Sequence, residues 1–491
     1  MKNKYILAWL AGCLWITGVA KAQSVIRPVT HYDMPGRFSV QANGTTLPVA
    51  GYKDVEYAAF QQQGPLQFTV HSSDSIAAFT ISPLSKNIAG RKTDAHTLQF
   101  TLPEPAYTVV TINKTQRLFL FGDPVLNPVT TPYISVLDYK ADATGKQLST
   151  GAIQKAIAAA SRSGKTLIFP PGIYRSGRLT IPSNTHIRME AGALLKAADD
   201  LADLQLPAQQ KPRGFIHIEN AENVSITGAG TIDGNGRLLR TRFGDEARIR
   251  LLLIQSSRNV VISGIIQRDP GSWNTQILHS GLVRFSRVKQ LNDAALPNTD
   301  GFDPDASTQV TIENCFGYCG DDNVAIKITR EQAHQNRTAD IIVRNCVFLT
   351  RKSSLKVGTE SRGALIENIL FENNDVLLSD RGMALYCSDG ATYQHITYRN
   401  NRFEENYPDA KRMGFQFVIN KRMPQSNAGI IKNVLLENNH FYTTFPHPSE
   451  VKGLDNHHRV EVQIKGLTIA KQKITQLNGI VVATDAAVSI E

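Results

Sequence analysis

The chain has 491 residues, of which 42% are hydrophobic and 20% charged, with 35 glycines and 22 prolines. This composition excludes a disordered polyelectrolyte and suits a large core broken by many turns. The formal charge of +10 is scattered without a Lys/Arg run. That excludes a dedicated nucleic-acid groove and leaves acidic polysaccharide among the partners a basic surface suits.

In chain order, Lys2 and Lys4, the apolar run from Ile6 to Ala20 and the triplet Ala20-Lys21-Ala22 read as an export signal over residues 1–22. Leu10-Ala11-Gly12-Cys13 has the form of a lipobox, but the apolar run continues past Cys13. A secreted or periplasmic protein is therefore expected ahead of one anchored by lipid at Cys13. No other stretch reaches the ~18 apolar residues that span a bilayer, so no stable membrane insertion is expected. Removing Lys2, Lys4 and Lys21 lowers the charge from +10 to +7. Cys315, Cys319, Cys346 and Cys387 remain and show no metal-ligand spacing. Cys315 and Cys346 each follow an Asn at the same phase of a repeat, which predicts free thiols stacked in a wall.

Residues 23–129 alternate apolar and polar residues in short runs, among them Leu98-Gln99-Phe100-Thr101-Leu102 and Arg117-Leu118-Phe119-Leu120-Phe121. They predict a small β-sandwich, open to a carbohydrate-binding role but expected first as a packing module that covers the N-terminal end of the larger domain. Residues 130–491 form that second predicted domain. It opens on one helix, with Ala152, Ile153, Ala156, Ile157 and Ala160 at helical spacing and Ser149 or Thr150 as cap. A unit of apolar-x-apolar-x-Asn/Gly then recurs at Val224, Val260, Val310, Ile341, Ile369, Ile396 and Val434. One such coil cannot bury its apolar face, whereas stacked coils make a continuous core, which predicts an all-β chain built on a right-handed parallel β-helix. Asn314, Asn345, Asn373, Asn400 and Asn438 close five of these units and are expected to form an inward amide ladder.

Within the repeat lie Asn298-Thr299-Asp300-Gly301, Gly320-Asp321-Asp322 and Ala325-Ile326-Lys327. One coil separates the two acidic patches, so stacking brings Asp300 beside Asp321 and Asp322 at roughly 5 Å. Three carboxylates on one patch repel one another. Such a cluster is costly unless it holds a cation or works as an acid and base whose pKa values are pushed apart.

The ordered segments Thr150 to Ile157, Phe169-Pro170-Pro171-Gly172, Gly228 to Gly234, Gly271-Ser272-Trp273, Asn298 to Gly301 and Gly320-Asp321-Asp322 resemble the polygalacturonase-like glycoside hydrolases (family 28) of the pectin lyase-like superfamily. The resemblance covers residues 132 to 445. It implies an inverting hydrolase without a cofactor or metal: Asp321 as the general acid, Asp300 and Asp322 as the pair that holds and deprotonates the attacking water. Inversion needs an acid and a base ~6.5–9.5 Å apart so that water fits, a scale that stacked coils can present.

Two motifs of the pectin-cleaving members are missing. A Gly-His-Gly is replaced by Lys352-Ser353-Ser354-Leu355-Lys356-Val357-Gly358, and an Arg-Ile-Lys by Gly382-Met383-Ala384-Leu385-Tyr386-Cys387. Lys356, Arg362 or Arg381 are alternative cations for a uronate. The departures, together with the N-terminal module, are also similar to the dextranase and isopullulanase type of α-glucan hydrolase. Asn298, Asp303, Tyr318, Trp273, Lys327, Lys356, Glu360, Arg381 and Tyr386 are the candidates for a substrate groove along the solenoid of a monomer. Two other classes stay open: a Ca²⁺-dependent polysaccharide lyase and a glycan-binding β-helix without catalysis.

Overall fold

The computed structural model describes residues 24–29, 36–206, 212–329, 337–408 and 411–491, so the expected export signal lies outside it. Between Val25 and Pro124 two sheets face each other. One holds six strands, including Val55–Gln63, Tyr107–Ile112 and Gln116–Pro124, and the other five, including Phe38–Ala42, Leu66–Ser72 and Thr97–Leu102. Alternation explains the layer between them. Val40, Phe68, Val70, Leu98 and Phe100 point inward against Phe60, Val110, Leu118 and Leu120, with Phe68 and Phe100 stacked at 5.3 Å.

From Tyr133 onward three long parallel sheets wind together, with 13, 13 and 11 strands among the described residues. Each coil gives one strand to each sheet, the signature of a parallel β-helix. In the first sheet Val224, Val260, Val283, Val310, Ile341, Ile369, Ile396 and Val434 follow one another in register. Between Val224 and Val434 the repeat in the sequence thus recovers every rung but the one at Gly281–Ser286, whose strand ends in Ser286-Arg287 instead of Asn or Gly, and it does not reach the strands of this sheet before or after that stretch. The helix Thr150–Ser163 closes the first coil with Ile153, Ala156, Ile157 and Ala160 in the core. Gly164 at φ 66° ends it.

Two expectations need correction. The sandwich does not cover the N-terminal end of the β-helix, since the helix Thr150–Ser163 sits there. It packs sideways on the second sheet, where Tyr107, Phe119 and Phe121 meet Leu291, Phe316, Tyr318, Val347 and Leu349. The inward amide ladder is also displaced by one residue, although at the outer bend Asn373 still donates to Asn345 Oδ1 at 2.6 Å. Asn314, Asn345, Asn373, Asn400 and Asn438 take left-handed φ values of 53–55° at the outer bend, a conformation Asn tolerates better than other side chains. The buried ladder is the next position, where Asn374 donates to Asn401 (2.9 Å) and Asn401 to Asn439 (3.1 Å). Cys346 and Cys315 continue that column, and all four cysteines of the described region are free and buried, as the spacing predicts.

Candidate active site

The acids sit where the turn after the second sheet enters the third. Asp300 leads into Phe302–Asp305 and Asp322 into Val324–Ile328, adjacent strands with Phe302 opposite Val324 and Asp305 opposite Lys327. Asp322 therefore stands one rung from Asp300. Both approaches need glycine. A Cβ on Gly301 would lie 2.4 Å from the carbonyl oxygen of Asn323, and one on Gly320 2.6 Å from Thr299 Oγ1. Buried amides fix the backbone: Asn292 donates to the carbonyls of Thr299 (2.8 Å) and Asp300 (3.0 Å), and Asn323 to those of Gly317 (3.2 Å) and Leu349 (3.0 Å). The sequence motifs do not single out these amides.

One oxygen of each of Asp300, Asp321 and Asp322 falls within 4.8 Å of the others. This is shorter than the ~6.5–9.5 Å expected of an inverting pair, because the rung spacing of a sheet, about 4.8 Å, sets the distance between stacked side chains. Two lysines supply countercharge. Lys356 Nζ is 2.5 Å from Asp322 Oδ2, while Lys327 Nζ lies 3.1 Å from Asp300 Oδ2 and 2.8 Å from Asp303 Oδ1. With an ammonium already on two of the three acids, the cluster has less need of a divalent cation.

The environment separates the three acids. Burial pushes the Asp321 carboxyl up to about 7, helped by the charges of Asp300 and Asp322. Burial also opposes ionisation of Asp322, but the Lys356 ammonium and its hydrogen bond outweigh it and hold Asp322 below the usual carboxylate range. Ser353 N–H adds a second donor at 3.0 Å. Asp300 is raised by burial in spite of Lys327, and its Oδ1 is buried with no hydrogen-bond partner among the described residues. Asp303 is raised well above its ordinary value by burial, which Lys327 only partly offsets.

The other groove candidates divide. Asp303, Lys327, Lys356 and Glu360 join the acids, Glu360 reaching Lys327 at 3.9 Å and Arg422 at 3.5 Å. Trp273 lines the adjoining cleft with Lys327 3.6 Å and Arg250 4.7 Å from its ring centre. Tyr386 lies on the other side, under Lys356 at 5.4 Å, with its hydroxyl on Gln416. Arg381 is committed to Ser353 Oγ (3.0 Å) and Asp380 (3.5 Å), which makes it a wall of the site. Asn298 has φ 58° at the loop before Asp300, and among the described residues no hydrogen bond of its side chain ties it to the acids. Tyr318 is not in the groove: its hydroxyl donates to Asp54 of the sandwich at 2.6 Å.

Residues 165–478 match the sequence profile of the glycosyl hydrolases family 28. The chain belongs to that family. A probable polygalacturonase of Vitis vinifera is 28% identical over 281 residues, covering 52% of this chain and 57% of its own length. The chain spans only 54–63% of the length of the first curated relatives it matches. Among solved structures, the family 28 exopolygalacturonase of Yersinia enterocolitica superposes with a TM-score of 0.60 at 18% identity, over 93% of this chain and 99% of its own. Dex49A from Penicillium minioluteum gives 0.66 at 14% identity, over 94% and 95%. At these identities the likeness is one of fold, and its coverage includes the sandwich. The family is one of glycosyl hydrolases, which supports the hydrolase reading and not the lyase alternative.

Proposed function

We propose that the protein hydrolyses O-glycosidic bonds of a polysaccharide by inverting acid and base catalysis. Asp321 protonates the leaving oxygen, while Asp300 and Asp322 hold and deprotonate the attacking water. The observation that carries this reading is the division of one carboxylate cluster into a proton-bearing member near pH 7 and a member held ionised by Lys356. The unpartnered Asp300 Oδ1 supports a place for water between them. Lys327, Lys356, Asp303, Glu360, Trp273 and Tyr386 border the bound sugars, with Arg381 and Asn298 shaping the rim.

Export over residues 1–22, a sandwich over 23–129, a catalytic β-helix over 130–491 and a secreted or periplasmic monomer complete this reading. No helix among the described residues is long and apolar enough to cross a membrane. The test is proton NMR of the first product released from homogalacturonan, rhamnogalacturonan, sulfated galactan, dextran or pullulan, read before mutarotation. An inverted anomer is expected. A retained anomer would make one of the closely spaced acids a nucleophile, and an unsaturated product would refute hydrolysis.

A further inference from the structure

The sandwich meets the β-helix at more than the aromatic seam. Its strands Ala50–Tyr52 and Val55–Gln63 pair with Tyr52 opposite Val55, which leaves a short turn of Lys53 and Asp54, with Lys53 in the left-handed region at φ 53°. So tight a turn between paired strands has little freedom to move. Side chains of this tip reach successive coils of the β-helix. Tyr52 donates to Asp269 Oδ1 at 3.3 Å, Lys53 Nζ lies 4.0 Å from Asp269 and 3.9 Å from Asp293, and Asp54 Oδ2 accepts the Tyr318 hydroxyl at 2.6 Å.

Sheet register decides what the tip touches. Arg268, Leu291 and Tyr318 stand in line on neighbouring strands of the second sheet, and the tip meets the chain at or just after each of them. From there each coil turns toward the third sheet. The first turn delivers Trp273, the second Asp300 and the third Asp321. Packing does little to hold these turns on the side of the tip, where Lys53, Asp54, Ala294, Ala295, Tyr318 and Arg351 border a cavity of about 460 Å3. Polar contacts hold them instead. Arg351 donates to the carbonyl of Ala294 at 3.1 Å, the Thr299 hydroxyl to that of Asp293 at 3.2 Å, and the Thr350 hydroxyl to that of Asp321. Asp293 has a second cation in Arg237 at 2.5 Å, whereas the hydroxyl of buried Tyr318 has no hydrogen-bond partner but Asp54 among the described residues. The contact to the coil of Asp321 is therefore the one that is not duplicated.

On the reading that Asp300, Asp321 and Asp322 cleave a glycosidic bond, we propose that the sandwich is part of the active site: Asp54 is a positioning residue that fixes Asp321 through Tyr318, with Lys53 supporting the Asp300 turn through Asp293. Asp54 acts at one remove from the chemistry. A hydrogen bond to a carboxylate is short and directional, so it sets where the turn lies as well as holding it there. Position is what a general acid needs, since a misplacement of about 1 Å can cost a factor of about 10² in rate.

Two measurements on the full chain test this. Asp54 is exposed, so its variants spare the core. The first is hydrogen–deuterium exchange of the parent, Asp54→Ala and Asp54→Asn proteins, which needs no substrate. In Asp54→Ala the peptides covering 316–323 are expected to exchange about fivefold faster, the scale of one hydrogen bond, while those of the first sheet at 224–228 and 260–263 stay unchanged. Asp54→Asn keeps an oxygen acceptor and is expected to restore most of the protection. Parent-like exchange at 316–323 in Asp54→Ala, or faster exchange throughout the β-helix, overturns the proposal. The second is turnover on whichever of homogalacturonan, rhamnogalacturonan, sulfated galactan, dextran or pullulan the parent cuts. Asp54→Ala is expected to lower kcat about tenfold with KM within about twofold, Asp54→Asn to recover most of that loss, and Tyr318→Phe to add nothing in the Asp54→Ala background. Parent kcat in Asp54→Ala, or losses that multiply in the double variant, overturn it. If the parent cuts none of these polymers while exchange at 316–323 responds, the hydrolase reading fails and the hold of Asp54 on the Asp321 turn stands.

Discussion

At the seam between the sandwich and the β-helix, buried Lys289 reaches Asp123 at 2.6 Å and the carbonyl of Gly264 at 2.6 Å, and Tyr107 donates to the same carboxylate at 2.7 Å. In the groove, buried Lys327 faces Asp300 and Asp303 together, and Lys356 faces Asp322. The ingredients are alike, and the stoichiometry differs. At the seam one ammonium serves one carboxylate, so the contact joins two modules. In the groove four aspartates share two lysines, and Asp321 is left without a cation. Adhesion comes from matching charges, whereas a proton donor comes from leaving one acid unmatched.

Removing the unmatched acid tests the groove side of this contrast and has the largest expected effect. Asp321→Asn should lower turnover by a factor of about 10²–10⁴, the range for a positioned general acid. The fold should survive. Because the folded-state pKa of Asp321 is raised to about 7, its ionisation penalises the fold progressively as pH rises from the unfolded value near 3.8 through about 7. The variant should therefore melt higher than the parent at pH 8 and alike at pH 4. Wild-type turnover in the variant would remove Asp321 from the acid role. For the same reason kcat/KM of the parent should fall as pH rises through about 7. A profile flat to pH 9 would show that no such proton is needed.

On the seam side, Lys289→Met leaves Asp123 buried without its cation. A loss of roughly 3–5 kcal/mol is expected, as for other buried pairs broken at one partner. Denaturant unfolding measures it, and the turnover of the folded fraction should be unchanged. If Lys289→Met with Asp123→Leu restores most of the loss, the cost lay in the stranded charge. If the double variant is as unstable as the single one, the seam depends on the pair itself.

Much of this architecture is legible in the sequence because a β-helix writes its period into the chain. Val260, Val310, Ile341 and Ile369 mark rungs by their apolar alternation, and Asp300, Asp321 and Asp322 fall together once the coil length is known. The hidden part depends on contacts the period does not encode. The side-on docking of the sandwich rests on Phe119, Phe121 and Phe316 meeting across nearly two hundred residues. The cleft lined by Trp273 also takes Arg213, Arg248, Arg362 and Arg422 from four separate segments between strands. The rung at Gly281–Ser286 escapes the pattern because its outer bend uses Arg287 in the left-handed region where its neighbours use Gly264 and Asn314.

The displaced ladder gives the smallest and most discriminating test of how far a repeat can be read. Asn345 and Asn374 close neighbouring rungs of the same sheet, one at an exposed bend with φ 55°, the other fully buried beneath Asn401. If the bend explains Asn345, then Asn345→Gly, which keeps access to left-handed backbone and loses only the solvent-exposed bond from Asn373 (2.6 Å), should change stability by no more than about 0.5 kcal/mol, as exposed substitutions generally do. Asn374→Ala removes an amide that donates to the carbonyl of Val343 at 3.0 Å and accepts the N–H of Cys346 at 3.0 Å, so buried groups lose their partners and roughly 1–3 kcal/mol should be lost with them. Thermal unfolding of the two variants side by side decides the phase of the repeat. Equal melting points would mean that the buried amide contributes nothing, and a larger loss at Asn345 would return the ladder to the position its sequence pattern suggests.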